Sequence, residues 1–253
     1  MHTITIKNTV IGEGLPKIIV PLMAAGEKEL LEEMEAVNKL HPDIIEWRAD
    51  VYEHVDSLDA VKDMLEKLRK AAGETPLLFT FRSHKEGGNK VIDGRFYIEL
   101  LKTAIETKHI DLIDVELFTG DAEVKSIVKT AEENGVYVIM SNHDFHQTPK
   151  KEEIISRLRK MQAYGAHIPK IAVMPQSTED VFVLLDATHT MKTQFADRPI
   201  ITMSMAGTGL ISRLAGEVFG SACTFGAGKE ASAPGQIPVD ELRSVLSILN
   251  KNM

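Results

Sequence analysis

The chain is short of cysteine: Cys223 is its single one, so no disulfide can form within it and a cross-linked secreted scaffold is excluded. Aromatic side chains make up only 6% and the basic residues are scattered, so there is no stripe of rings and cations to track a nucleic acid. Positive charge is in deficit too. The net charge of −8 sets the surface against phosphate backbones and anionic membranes. No apolar run approaches the roughly 20 residues that span a bilayer. The opening MHTITIKNTV alternates apolar and polar residues where a signal peptide would carry an apolar block. The first strand-to-helix turn has no G-x-G-x-x-G, which weakens a dinucleotide reading. No low-complexity or Ser/Pro-rich linker divides the sequence, and residues 1–253 read as one domain. These absences predict a cytoplasmic protein with neither a nucleic acid nor a membrane partner.

What the chain does have is alternation. Eight short apolar, β-branched runs cover 17–24, 43–50, 76–82, 112–117, 137–144, 169–175, 199–205 and 221–227, with helical patterns between them. TITIK and Val10-Ile11 form a candidate hairpin ahead of the first run. Between runs two and three, Leu58, Val61, Leu65 and Leu68 share a helix face, with Ser57 placed to cap its start and Gly73 to end it. Thr148-Pro149 reads as a cap followed by proline in the first turn, and Ser177-x-x-Asp180 as a capping box. Strand–helix alternation implies a parallel sheet with right-handed crossovers. Eight units in this length predict an α/β fold, a (β/α)8 TIM barrel with an N-terminal β-hairpin. A doubly wound open sheet is the alternative.

A barrel keeps its chemistry at the C-terminal ends of its strands. Side chains alternate along a strand, and the exterior helices need the apolar set, so the polar set points inward. That rule converges Glu46, Arg48, Arg82, Asp114, Glu116, His143 and Lys170 on the mouth. Asp114 and Glu116 read equally well as paired charges filling the barrel. Lys170 stands out in IPKIAVMP: a buried ammonium must be paired or lose its proton, and a neutral amine in an apolar site is a nucleophile. Arg48 and Arg82 are expected to favour the free amine, which points to a Schiff-base lysine. His143 ends its strand in the same mouth and suits proton removal and return. Glu86, in the loop SHKEGG, is a candidate to orient it, against the default of an exposed loop acid. His143 and His146 lack a nearby third ligand, so no metal is expected. Arg213 lies on the helix after strand seven, and GAGKEASAPGQIP after strand eight reads as a mobile lid with Ser232 and Gln236 as ligand contacts.

EWRAD, FTFRSHKEGG, VELFTGD, VIMSNHDFHQTP, IPKIAVMP, PIITMSM, ISRLAGEVFGSACTFG and SAPGQI follow one another along essentially the whole chain. In these segments the chain resembles the type I 3-dehydroquinate dehydratases. The resemblance implies a (β/α)8 barrel, often a homodimer, that converts the small molecule 3-dehydroquinate to 3-dehydroshikimate in the shikimate pathway with no metal or cofactor. It implies Lys170 as imine former, His143 as general acid/base and Glu86 as its support. It further implies Arg213 as grip on the substrate carboxylate, with Ser232 and Gln236 contributing from the lid. Glu46, Arg48 and Arg82 would bind hydroxyls or tune charge, and Met203 and Met205 would pack against the ring. Two rivals stay open on the residues alone: a Schiff-base aldolase or transaldolase acting on a phosphosugar, and a non-catalytic barrel that binds a small acid.

Overall fold

The computed structural model describes residues 3–228 and 232–253. It opens with an antiparallel hairpin, β1 (Ile4–Ile6) and β2 (Thr9–Ile11), turned at Lys7, whose φ is positive. Eight parallel strands follow: β3 (Lys17–Leu22), β4 (Ile44–Arg48), β5 (Leu77–Thr80), β6 (Leu112–Glu116), β7 (Tyr137–Asp144), β8 (Ile168–Val173), β9 (Ile201–Ser204) and β10 (Cys223–Phe225). They pair in the order β10-β3-β4-β5-β6-β7-β8-β9. The ring is completed by a single bridge, Ile200 with Ser221. There the Ser221 hydroxyl accepts from the Thr202 amide at 3.0 Å and donates to the Thr202 carbonyl at 3.3 Å. A side chain thus substitutes for ladder hydrogen bonds at the closing seam. This is the expected (β/α)8 barrel with its hairpin, and the open-sheet alternative is set aside.

Helices α1 (Glu27–Asn38), α2 (Leu58–Ala72), α3 (Gly94–Glu106), α4 (Asp121–Asn134), α5 (Lys151–Ala163) and α6 (Thr178–Thr190) alternate with the strands. The short α7 (Leu210–Leu214) and α8 (Gly216–Phe219) lie between β9 and β10, and α9 (Val239–Lys251) follows β10. Ser57 accepts from the Ala60 amide to cap α2, and Gly73 ends it at φ 54°. Asp180 accepts from the Ser177 amide at the start of α6, as the capping box requires. The Thr148-Pro149 expectation fails. Helix α5 begins at Lys151 behind Lys150, because the Thr148 hydroxyl donates instead to the Met174 carbonyl and holds the loop against the end of β8.

Strand parity divides the interior in two. Ile18, Val20, Trp47, Phe79, Val115, Met140 and Ile171 face the helices in one continuous apolar shell. Ile19, Ile44, Leu78, Leu112, Ile139, Ile168, Ile201 and Cys223 face inward, and Ile6 and Ile11 of the hairpin pack with them. Further along the same strands the inward positions turn polar: Glu46, Thr80, Asp114, Glu116, Ser141 and Lys170. Apolar filling at one end therefore supports a charged chamber at the other.

Candidate active site

The chamber is lined by Glu46, Arg48, Arg82, Glu86, His143, Lys170, Met203, Met205, Ser232 and Gln236, among others. Its free volume is about 50 Å³, room for little more than a few waters. These groups project inward from the strands or from the segments that follow them.

Lys170 sits on β8 with 3% of its surface exposed. Its Nζ lies 3.5 Å from Asp114 Oδ2 and 4.6 Å from the centre of the Phe225 ring. Burial pulls the ammonium below its ordinary value; Asp114 and Glu46 oppose this, and Arg82 and Arg48 add to it. The sequence weighed only the two arginines. The structure places an acid nearer, so the lysine is both paired and depressed.

Arg82 extends from the end of β5 and holds three carboxylates: Asp114 at 2.9 Å, Glu116 at 2.9 Å and Glu86 at 3.7 Å. Ser141 joins them, accepting from Arg82 at 3.0 Å and donating to Asp114 Oδ1 at 2.6 Å. Burial pushes the Asp114 carboxyl up, yet Arg82, Lys170 and the Ser141 hydroxyl bring it below its usual value. Arg48 is gripped bidentately by Asp50, at 2.8 and 2.9 Å. Glu46 accepts from the Thr80 hydroxyl at 2.8 Å. These cations and acids are largely committed to one another, so they set the charge of the chamber more than they offer free hydrogen bonds.

The loop after β5 delivers Glu86. A Cβ on Gly88 would collide with the Arg82 carbonyl, and Gly87 adopts φ 85° against Phe145. With glycine at both places the chain doubles back, the Gly88 amide reaches the Ser83 carbonyl at 2.8 Å, and Glu86 turns inward, 6% exposed. The default of an exposed loop acid is thereby excluded. Glu86 Oε2 accepts from the His143 amide at 2.9 Å and shares a hydrogen with His143 Nδ1 at 2.9 Å; Oε1 accepts from Asn142 at 3.2 Å. Burial and then Glu116 push Glu86 up to about 8. Burial, with Arg82, Lys170 and Arg48, pushes His143 well below its ordinary value. Both shifts disfavour an imidazolium facing a carboxylate. Both Glu86 oxygens accept, from the His143 amide and from Asn142; with Glu86 as a carboxylate the ring hydrogen lies on Nδ1, and Nε2 keeps a lone pair and is a base.

Arg213 on α7 is 2% exposed, and no carboxylate pairs with it among the described residues. It donates to the Pro234 carbonyl at 3.0 Å and approaches the Met203 sulfur at 3.7 Å, while Nε has no partner. Burial alone brings it down to about 10. Ser232 and Gln236 bond each other: the Gln236 amide donates to the Ser232 hydroxyl at 2.9 Å, and the Ser232 amide to Gln236 Oε1 at 2.8 Å. Part of the expected lid, residues 229–231, lies outside the described residues. Met203 and Met205 are buried on the inner face of β9 and just beyond it. The residues that sequence reading missed are Asp50, Thr80 and Ser141, all short polar groups whose inward parity was visible but whose partners were not.

A parallel (β/α)8 barrel with a buried lysine and a carboxylate-backed histidine at its mouth defines a class of acid–base barrel enzyme. The family model for type I 3-dehydroquinase matches residues 18–253. The 3-dehydroquinate dehydratase of Bacillus velezensis is 92% identical over 253 residues, covering 100% of both chains, and that of Bacillus subtilis 67% over 252 residues, covering 100% of this chain and 99% of its own. The type I 3-dehydroquinate dehydratase of Clostridium difficile superposes with a TM-score of 0.97 at 53% identity, over 100% of this chain and 99% of the other. The chain belongs to the type I 3-dehydroquinase family and is a hydro-lyase of that family. Membership decides against the phosphosugar aldolase and the non-catalytic barrel. No helix among the described residues is long and apolar enough to cross a membrane.

Proposed function

We propose that residues 1–253 act as one catalytic domain that dehydrates 3-dehydroquinate to 3-dehydroshikimate through an imine on Lys170, with His143 as general acid/base. The observation that carries this reading is a buried lysine and a half-buried, carboxylate-backed histidine lining one cavity. Eliminating water β to a ketone requires a proton to leave the carbon next to the carbonyl. The amine of Lys170 attacks that carbonyl, water departs, and the iminium becomes an electron sink. His143 Nε2 takes the carbon-bound proton, the enamine expels the β-hydroxyl, and His143 returns a proton to it. Positioned acid–base catalysis of this kind contributes about 10²–10⁴-fold. Glu86 holds the imidazole in register through Nδ1 and its amide.

Arg213 takes the substrate carboxylate, since among the described residues it is a buried cation with no acid of its own and its guanidinium suits a bidentate grip. Ser232 and Gln236 line the cavity from the loop after β10 and contact the substrate from that side. Met203 and Met205 pack against the ring, and Glu46, Arg48 and Arg82 tune the charge. The Clostridium difficile relative was solved with covalent modified comenic acid, an outcome that a nucleophilic lysine here would parallel. A cytoplasmic homodimer completes the reading. Phe182 on α6 and Val218 on α8, helices that pack together, each expose an apolar side chain suited to a second copy.

Borohydride reduction in the presence of 3-dehydroquinate or its product, followed by peptide mapping, tests substrate, chemistry and residue together. A reduced adduct is expected on Lys170 and absent from Lys170→Met. An adduct mapped to another lysine sinks the assignment. Light scattering tests the dimer.

A further inference from the structure

Asp114 on β6 faces the barrel interior with no surface exposed, and its two oxygens have different surroundings. Oδ1 is saturated by Ser141 at 2.6 Å and Arg82 at 2.9 Å. Oδ2 is sealed from solvent, accepts no hydrogen bond, and faces Lys170 Nζ at 3.5 Å. A buried carboxylate oxygen without a donor costs free energy unless some state of the protein supplies one. The other charged groups facing the nitrogen are accounted for. From β4 come Glu46, occupied by Thr80, and Arg48, occupied by Asp50; beyond β5 comes Arg82; from β7 comes His143, occupied by Glu86. Glu116 is directed at Arg82 and the Ser83 amide. From β10 only the Phe225 ring approaches. Among these acids, Asp114 is the one that forms an ion pair with the nitrogen of Lys170.

We propose that Asp114 is the counter-ion of the imine, its free Oδ2 receiving the N–H of the iminium and keeping that nitrogen protonated while the carbon-bound proton leaves. The inference rests on the imine reading of Lys170. Its charge and atoms balance without an outside proton: a lysine ammonium and a ketone give an iminium and one water, so the positive charge beside Asp114 is the same before and after condensation. Two of the three ammonium hydrogens leave with the carbonyl oxygen, and the remaining one turns to Oδ2. Without the carboxylate, burial beside Arg82 and Arg48 would strip that last proton and abolish the electron sink. The enamine that follows is neutral, and expulsion of hydroxide restores the iminium to the same partner.

The test uses the imine formed with 3-dehydroshikimate, whose conjugated C=N absorbs at longer wavelength when protonated. In the wild type the protonated band should persist to a pH about 1–3 units above the titration of the same compound condensed with butylamine in the same buffer. Asp114→Asn keeps the shape, and losing the anion makes the amine easier to deprotonate, so adduct formation on Lys170 should continue. Its imine should titrate about 1–3 units lower than wild type, and the alkaline limb of the turnover profile should move down with it. A structural role alone would lower activity without moving either midpoint. A wild-type imine that titrates with the butylamine imine overturns the proposal, and this measurement stands even if Asp114→Asn fails to fold. An Asp114→Asn midpoint equal to wild type overturns it as well. The absence of any adduct in the wild type is a different result: it overturns the Lys170 assignment and, with it, the role of Asp114.

Discussion

Arg82 and Arg213 are both buried at the same end of one barrel, 4% and 2% exposed, yet they are opposites in company. Arg82 has three carboxylates and a serine within reach; Arg213 has a backbone carbonyl and a thioether. Burial opposes the charge on each. The acids around Arg82 hold it well above its ordinary value, whereas Arg213 falls to about 10. A buried ion persists only when its lost hydration is replaced. At Arg82 the protein itself supplies the replacement, so that cation belongs to the scaffold. At Arg213 the replacement is left incomplete, which reserves the cation for an anion that arrives from outside.

The sharpest way to break this contrast is to remove each cation in turn. Arg82→Met leaves buried acids without their partner and should cost about 3–5 kcal/mol in urea unfolding. A loss no larger than that of an ordinary surface substitution would end its claim to be scaffold. Arg213→Met should leave the unfolding midpoint unchanged or raise it, while substrate binding weakens by roughly 2–5 kcal/mol. An analogue without the carboxylate that binds the wild type as tightly as its parent would show that no clamp exists.

Acid sharpens the contrast further. The folded Asp114 carboxyl lies below its unfolded value, so the unfolded chain binds more protons between the two and stability rises with pH there. That contribution is complete above about 3.9 and disappears as pH falls through the lower folded value, at roughly 1.4 kcal/mol per unit for the one group. Urea titrations at successive pH values should show this limb in the wild type and in Arg213→Met, and a shortened limb in Arg82→Met. The smallest effect belongs to the lid. Gln236→Ala removes two hydrogen bonds to Ser232 and should weaken substrate binding by about 0.5–1.5 kcal/mol, measurable as a raised KM.

Much of this was legible before the fold was known, because period-two alternation fixes which face of a strand a residue takes. Glu46, Arg82, Asp114, His143 and Lys170 all point where parity sent them. Parity is silent about neighbours across the barrel. Asp114 and Lys170 stand 56 positions apart on strands that do not pair, and only the tilt and stagger of a closed sheet bring their side chains within 3.5 Å. For the same reason the sequence brought Asp114 and Lys170 to one mouth without showing that they pair, and weighed only the arginines against the ammonium. Glu86 was ambiguous because its inward turn depends on the close approach of Gly88 to the Arg82 carbonyl, which no local pattern announces. The cap at Thr148 was misread because its hydroxyl has a partner 26 residues away.

The seam between β9 and β10 has a mechanical consequence. Elsewhere around the ring neighbouring strands are laced by ladders, whereas this line is clasped by one bridge and the hydroxyl of Ser221. A hoop yields first at its clasp. On one side of that clasp hangs the segment carrying Arg213, and on the other the strand from which the lid departs. This line is therefore where the ring is expected to loosen first, while the ladder between the strands bearing His143 and Lys170 holds.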